Sequence, residues 1–162
     1  MILLKTLIFT VLVPGTVVVY LPWMIMASAP PSFSYAAGAL RYLAIGPFII
    51  GAAMYCWSAW DFASKGRGTP APIDAPKSLV AQGPYRYVRN PMYVGVLLII
   101  LGESVWLGTT ILLLYGAAVF TMFHLFITLY EEPTLQKKFG EPYGRYCASV
   151  PRWIPRAPRS AD

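Results

Sequence analysis

A polar and aromatic stretch, GPYRYVRNPMYVG at residues 83–95, stands directly before a long apolar run. Asn90 followed by Pro91 is typical of a helix start, because Asn is a good N-cap residue and proline fits the first helical turn. A helix N-terminus presents free N–H groups and partial positive charge. Together with Arg86 and Arg89, it predicts a seat for a carboxylate or a phosphate. The alternative is a helix cap with arginines that only orient a membrane span.

A second set of polar side chains lies on one face of the last apolar helix. At 100° per residue they fall within about 100° of arc. The set is Thr121, His124, Thr128, Glu131 and Glu132. Ionisable residues at membrane depth usually face a bundle interior or a cavity. If the two last apolar runs form a hairpin, the glutamates reach the level of Arg89. A zwitterionic ligand would then fit between them, although a solvated helix end and an interhelical histidine remain the alternative.

Residues 83–95 also include three tyrosines and a glycine, each of which can be interpreted in two ways. Its tyrosines could stack on a planar ring or belong to an interfacial aromatic belt. They are Tyr85, Tyr87 and Tyr93. Gly95, one turn into the apolar run, permits the close approach of a ligand or of another helix.

The composition is that of a membrane protein with one domain. Of 162 residues, 57% are hydrophobic and only 12% are charged, about half of the usual charged fraction of roughly 25%. The basic residues cluster beside apolar segments, which fits a membrane surface better than nucleic acid. Cys56 and Cys147 predict neither a disulfide nor a zinc site, and no metal site is expected.

The apolar runs predict an all-α integral membrane protein. The first run, residues 2–26, is longer than the core of a signal peptide and is expected to be a transmembrane helix kinked near Pro14. The second covers about 36–62. The third, 91–130, would be roughly 60 Å long as one helix, about twice a hydrocarbon core. It is therefore interpreted as two crossings with a turn at residues 102–108.

Four spans and the positive-inside rule predict a topology. Of the 13 Lys and Arg residues, all but Arg41 fall on one side, which places both termini in the cytoplasm. The predicted layout is a single domain, 1–162, with no Rossmann domain. It comprises two spans (1–63), a cytoplasmic loop (64–90), a hairpin (91–131) and a cytoplasmic tail or lid (132–162) with a short helix at about 134–149. In a bacterium the membrane would be the inner membrane.

The C-terminal half resembles a known superfamily. The stretch GPYRYVRNPMYVG, the pair Glu131-Glu132 and the tail LQKKFGEPYGRYCASVPRWIP are similar in order and spacing to the isoprenylcysteine carboxyl methyltransferases and the related phospholipid methyltransferases. The resemblance covers about residues 80–156. It implies S-adenosylmethionine as methyl donor, held in a cytoplasm-facing pocket that the tail closes. It also implies a lipophilic acceptor, a lipid or a prenylated substrate, that enters from the bilayer between helices.

The resemblance also implies roles for individual residues. Glu131 or Glu132 would take the amino group of the donor, while Arg89, Asn90 and the backbone from Tyr93 to Gly95 would take its carboxylate or ribose. The implied catalytic residues are Arg89, Glu132 and Arg152. The implied cofactor-binding residues are Tyr85, Arg89, Asn90, Pro91, Tyr93, Val94, Gly95, His124, Glu131, Glu132, Tyr143 and Tyr146.

One residue departs from the superfamily pattern, because Asn90 stands where a histidine is usual. Asn can donate and accept hydrogen bonds but cannot carry a proton. A carboxylate acceptor needs no base, whereas an amine must first lose a proton, a step in which Glu132 or His124 could help. The departure therefore favours isoprenylcysteine-type carboxyl O-methylation over phosphatidylethanolamine-type N-methylation. Two other readings are a sterol-reductase-like NADPH enzyme and a non-catalytic lipid-binding membrane protein.

Overall fold

The computed structural model describes residues 2–28, 38–65 and 79–157, and helices dominate that part of the chain. The α-helices are α1 (Ile2–Gly15), α2 (Leu21–Ser28), α3 (Ile45–Lys65), α4 (Pro91–Leu107), α5 (Thr110–Phe126), α6 (Glu132–Phe139) and α7 (Glu141–Ser149). Two π-helical turns, Thr16–Tyr20 and Ile127–Glu131, and two 3₁₀ helices, Gly38–Ala44 and Gly83–Arg86, complete the set. No strand occurs in these described ranges, so the all-α prediction is confirmed.

Three helical segments are long and apolar enough to cross a bilayer. They are Thr6–Ser28, Gly38–Asp61 and Thr110–Phe139, of 23, 24 and 30 residues. The fourth apolar helix, α4, has 17 residues and is about 25 Å long, which is short of a hydrocarbon core of roughly 30 Å. The protein is thus an all-α membrane protein with three long apolar helices and one shorter one.

The α4–α5 hairpin turns later and more tightly than predicted. A turn over residues 102–108 was expected, but α4 continues through Leu107 and only Gly108 and Thr109 separate it from α5. Gly108 adopts the left-handed conformation, with φ 63° and ψ 47°, which glycine tolerates best. The other glycine of the predicted turn, Gly102, lies inside α4, where a Cβ atom would come within 3.1 Å of the Ala44 carbonyl oxygen.

Helices α3 and α4 pack closely through a pair of glycines. A Cβ atom on Gly51 would lie 2.6 Å from the carbonyl oxygen of Gly95, and one on Gly95 would lie 2.7 Å from that of Gly51. Small residues allow helix backbones to approach in this way. Residues from three helices form a buried cluster next to this contact: Tyr55, Val96, Ile100 and Val119. The contact and the cluster fix the hairpin against α3.

The first apolar run forms one continuous helical segment whose regular geometry is interrupted after Pro14. The interruption is the π-helical turn Thr16–Tyr20, which joins α1 to α2. Two hydrogen bonds tie this segment to the bundle. The hydroxyl of Tyr55 donates to Thr10 Oγ1 at 3.0 Å, and the hydroxyl of Tyr115 donates to the Val17 carbonyl at 2.8 Å.

The C-terminal region is more helical than predicted. Helix α5 passes through the π-helical turn into α6 without a break, and Gly140, with φ 61°, separates α6 from α7. The single short helix expected at about 134–149 is therefore two helices. Of the predicted 64–90 loop, residues 66–78 lie outside the described residues.

Candidate active site

A cavity of about 190 Å³, partly open to its surroundings, is lined by residues of α1, α3, α4, α5, α6 and α7 and of the segment before α4. Polar side chains gather at one end: Tyr85, Arg89, Asn90, Tyr93, Glu131, Glu132, Tyr143 and Tyr146. At the other end the wall is almost entirely apolar. The cavity therefore has a polar end, called the mouth below, and an apolar end.

Glu132 is the centre of an ion-pair cluster at this mouth. Its carboxylate accepts two hydrogen bonds from Arg152, from Nε at 2.7 Å and from Nη2 at 2.8 Å. The same carboxylate pairs with Arg89 Nη1 at 3.0 Å. The hydrogen bonds to Glu132 raise the pKa of Arg152, which stays protonated. Two guanidinium groups thus share one carboxylate, and the cluster keeps one excess positive charge.

Arg89 has hydrogen-bonding capacity left over in this cluster. Its Nη1 also donates to Cys147 Sγ at 2.9 Å. Its Nε is buried and has no hydrogen-bond partner in the part of the chain that the structure describes. A buried guanidinium N–H without a partner is costly, and an anionic group in the cavity would satisfy it. The contact with Cys147 was not anticipated, since nothing in the sequence links a lone cysteine in a polar tail to this arginine.

Glu131 has a different environment from its neighbour. The hydroxyl of Tyr93 donates to Glu131 Oε2 at 2.9 Å, and the Tyr93 ring packs against Phe123 with 4.6 Å between ring centroids. Among the described residues, no Lys or Arg side chain lies within ion-pair distance of Glu131. The two adjacent glutamates are therefore distinct. Glu132 is paired with two arginines, and Glu131 has a tyrosine hydroxyl as its partner.

The tail folds back against the mouth through hydrogen bonds to the segment before α4. The Arg89 amide donates to the Pro151 carbonyl at 2.9 Å, and the Arg156 amide donates to the Tyr87 carbonyl at 3.0 Å. The buried side chain of Asn90 donates through Nδ2 to the Arg152 carbonyl at 3.1 Å. This contact corrects the predicted role of Asn90, which occupies the N-cap position of α4 but makes no side-chain cap.

The predicted polar face of α5 does not form one wall of the cavity. The π-helical turn Ile127–Glu131 changes the angular register, so spacing at 100° per residue does not carry across it. His124 lies outside the cavity lining, and its Nδ1 accepts a hydrogen bond from Trp153 Nε1 at 3.2 Å. The hydroxyls of Thr121 and Thr128 bond to carbonyls of their own helix. Only the two glutamates of the predicted stripe reach the cavity.

The predicted site residues divide into two groups by position. Those that line the cavity are Tyr85, Arg89, Asn90, Tyr93, Glu131, Glu132, Tyr143 and Tyr146. Those that do not are Pro91, Val94, Gly95, His124 and Arg152. Gly95 faces α3, so its lack of a side chain serves helix packing. Arg152 acts on the cavity through Glu132. The sequence did not indicate the apolar lining residues, among them Val13 on α1, Val96 on α4 and Phe123 on α5, because uniformly apolar helices carry no periodic signal.

Buried tyrosine hydroxyls complete the mouth. Burial raises the pKa of Tyr85, Tyr143 and Tyr146 above the ordinary tyrosine value. They therefore stay protonated at physiological pH and can donate hydrogen bonds. The Tyr146 hydroxyl donates a hydrogen bond to the Tyr85 carbonyl at 2.8 Å. This bond holds α7 beside the 3₁₀ helix before α4.

Comparison with known proteins identifies relatives over the part of the chain that builds this site. The model of the phospholipid methyltransferase family matches residues 40–142, from the 3₁₀ helix before α3 to the start of α7. The protein-S-isoprenylcysteine O-methyltransferase of Schizosaccharomyces pombe is 40% identical over 81 residues, which are 49% of this chain and 34% of that protein. Protein-S-isoprenylcysteine O-methyltransferase B of Arabidopsis thaliana is 35% identical over 77 residues, 48% of this chain and 39% of that protein.

A shorter relative shows the same similarity over its whole length. An uncharacterized protein of Haemophilus influenzae is 39% identical over 64 residues, which cover 39% of this chain and 100% of that protein. By contrast, the chain spans little more than a third of the length of the two isoprenylcysteine O-methyltransferases.

Proposed function

Since the chain belongs to the phospholipid methyltransferase family, we propose that it is a membrane enzyme that methylates a lipophilic acceptor with S-adenosylmethionine. The observation that carries the proposal is the charge arrangement at the cavity mouth. Two guanidiniums share the carboxylate of Glu132, while Glu131 beside it has a neutral partner. Such a mouth suits a ligand that carries both an ammonium and a carboxylate, as the amino acid end of S-adenosylmethionine does.

The residues present fit this ligand group by group. Arg89 offers a buried Nε with no partner among the described residues, which suits the carboxylate. Glu131 supplies the negative charge for the ammonium, and we assign that role to Glu131 because Glu132 is already paired. Asn90 contributes indirectly. Its side chain donates a hydrogen bond to the Arg152 carbonyl and so positions the part of the tail that carries the Arg152 guanidinium.

The protein's contribution to catalysis is alignment and exclusion of water. S-adenosylmethionine supplies an activated methyl group, and attack by an acceptor oxygen breaks the sulfur–methyl bond, whose electron pair stays on sulfur. The apolar walls from α1 and α5 keep water from the reacting atoms, and the mouth residues hold the reactants in line. An acceptor carboxylate attacks without losing a proton, so the reaction needs no base at position 90.

We propose carboxyl O-methylation of the isoprenylcysteine type as the reaction. The activity for which two relatives are named supports it, as does the use of the Asn90 side chain for a tail contact. The proposed topology has both termini and the cavity mouth in the cytoplasm, on the side rich in Lys and Arg.

Titration calorimetry of the detergent-purified protein tests the donor. We expect heat of binding with S-adenosylmethionine and none with NADPH. Absence of binding of the methyl donor at millimolar concentration refutes the proposal. Uptake of labelled methyl groups by a panel of lipophilic acids and amines then tests the acceptor class. Labelling of amines alone would replace O-methylation with N-methylation.

A further inference from the structure

A second pocket lies between the start of α3 and the end of α4, far along α4 from the mouth of the first cavity. Its volume is about 330 Å³, within the range of roughly 300–1,000 Å³ that is typical of small-molecule sites. The pocket is lined by Ala44, Ile45, Phe48, Gly102, Glu103, Trp106 and Leu107. Glu103 is the one ionisable residue of this lining, and every other side chain is apolar or aromatic.

The carboxyl group of Glu103 lacks a partner. Its Oε2 is buried and has no hydrogen-bond partner among the described residues. Among the described side chains, no Lys or Arg lies within ion-pair distance of it. A buried carboxyl oxygen without a partner is costly, and an ionisable residue in a membrane helix is typical of a functional site. A ligand with an N–H donor would supply what is missing.

The depth of Glu103 indicates which donor can reach it. Glu103 follows Pro91, the first residue of α4, by 12 residues, which is about 18 Å along the helix. If α4 starts at the membrane surface, as its polar mouth indicates, Glu103 is about 12 Å from the far side of a hydrocarbon core of roughly 30 Å. A lipid phosphate is permanently charged and finds no basic partner there. An amine can enter the bilayer uncharged.

The walls of the pocket suit the apolar body of such a molecule. Phe48, Trp106 and Leu107 are each about half exposed, so the pocket opens towards the surface of the bundle that faces the bilayer. The ring of Trp106 packs edge-to-face with Tyr42, with 6.1 Å between the ring centroids and an interplanar angle of 80°. An aromatic face attracts a cation within about 6 Å, and this attraction adds to that of the carboxyl group.

We propose that this pocket binds a lipophilic amine, with the nitrogen at Glu103 Oε2 and the apolar body between Phe48 and Trp106. The amine enters uncharged from the bilayer. One proton then passes from the carboxyl group to the amine nitrogen, and the ammonium and the carboxylate stay paired. The pocket shares no lining residue with the methyl-transfer cavity, so this second site does not depend on the proposed function.

Calorimetric titration of the detergent-purified protein with dodecylamine and with dodecanol tests the site, because the two probes differ only in the head group. We expect the amine to bind about tenfold more tightly than the alcohol or better. In Glu103→Gln the amine should weaken to the level of the alcohol. Glu141→Gln, which removes an exposed carboxyl group, should change neither. Equal binding of both probes by the unaltered protein, or unchanged amine binding in Glu103→Gln, overturns the proposal.

Two tryptophan variants test the wall of the pocket and keep the carboxyl group intact. Trp106→Leu removes the aromatic face and should weaken dodecylamine binding about threefold or more. Trp60→Leu removes an exposed tryptophan of α3 that does not line the pocket and should have no effect. Equal losses in the two variants contradict a contact with Trp106.

Two further titrations identify the place and the kind of ligand. Glu131→Gln should leave dodecylamine binding unchanged, and a loss there instead of in Glu103→Gln would put the amine in the methyl-transfer cavity and overturn the second site. Dihexanoyl phosphatidylethanolamine should bind about tenfold more weakly than dodecylamine. Binding as tight as that of dodecylamine, and equally dependent on Glu103, would make a lipid headgroup the occupant and overturn the choice of a free amine. No titration contains the methyl donor, so failure of the proposed function leaves this test intact.

Discussion

The hydroxyl of Tyr93 on α4 and the carboxyl group of Glu131, the last residue of the π-helical turn after α5, meet across the hairpin, 2.9 Å apart. This hydrogen bond gives Glu131 a partner that carries no compensating positive charge. Glu132, the next residue, is bound by two arginines. The site therefore has one carboxyl group without an arginine partner beside a cluster that holds two arginines.

The Glu131→Gln variant tests the proposed contact with the donor's ammonium. Gln keeps the shape and can still accept from Tyr93, but it loses the charge. Hydrogen bonds to charged groups contribute about 1.5–3 kcal/mol, so the Kd for S-adenosylmethionine should rise roughly 10- to 100-fold. Calorimetry measures this change. Tyr93→Phe, which retains the carboxylate, should have the smaller effect, and the reverse order would argue against the assignment.

The Glu132→Gln variant should destabilise the folded protein. It leaves Arg89 and Arg152 close together with no carboxylate between them, in a part-buried cluster. We expect a loss of about 1–3 kcal/mol, seen as a lower melting temperature by circular dichroism in detergent. Glu141→Gln is the matched control, because its pair with Arg145 is highly exposed and should contribute less than about 1 kcal/mol. Equal shifts in both variants would show that the cluster is not structural.

The Asn90→Ala variant should release the tail. Loss of the Asn90 side chain removes the hydrogen bond to the Arg152 carbonyl. The tail should then open more often, so hydrogen exchange of the Arg156 amide, which donates to the Tyr87 carbonyl, should be about tenfold faster or more. Hydrogen exchange with mass spectrometry measures it. Asn90→His, whose imidazole can still donate one N–H, should change exchange less. Ser149→Ala removes an exposed hydrogen bond within α7 and serves as control. Unchanged exchange in Asn90→Ala would show that other contacts hold the tail.

Gly95→Ala should separate α3 from α4. The new Cβ atom would lie 2.7 Å from the Gly51 carbonyl oxygen, a backbone atom that cannot move alone. Overpacking of this kind costs about 1–3 kcal/mol, which thermal unfolding would detect. Gly46→Ala, also in a helix, meets no atom within 4 Å and should be neutral or slightly stabilising. A stable Gly95→Ala variant would mean that the helices can repack at this crossing.

Much of this architecture follows from local patterns in the sequence. Apolar runs define the helices because length and polarity alone decide whether a helix can cross a bilayer. The dipeptide at Asn90 and Pro91 marked the start of α4 correctly, since proline tolerates only the first turn of a helix. Glu131 and Glu132 were expected at the level of Arg89, and the hairpin brings Glu132 into contact with it.

Other features depend on tertiary contacts that no local pattern records. Gly102 and Gly108 both suggested a turn. Gly102 instead lies inside α4, where the close approach of α3 leaves little room for a side chain. The side chain of Asn90 bonds to a residue 62 positions away instead of capping its own helix. His124 was placed in the site by helical periodicity, which the π-helical turn before Glu131 interrupts. The predicted turn at Gly102 and the predicted cap at Asn90 were wrong because a local rule was extended past a long-range contact, and the role of His124 in the site stays a prediction.

The unequal arms of the hairpin have a consequence for the surrounding lipid. The segment Thr110–Phe139 has 30 residues, about 45 Å, while its partner α4 is about 25 Å long. The long arm is long enough to cross a hydrocarbon core and the short one is not, so we expect hydrophobic mismatch around α4 to favour local thinning of the bilayer at the cavity mouth. We therefore expect an enzyme reconstituted in short-chain lipid to be more active than one in thick, sterol-rich membranes, because bilayer thickness sets how deeply Arg89 and Glu131 are immersed.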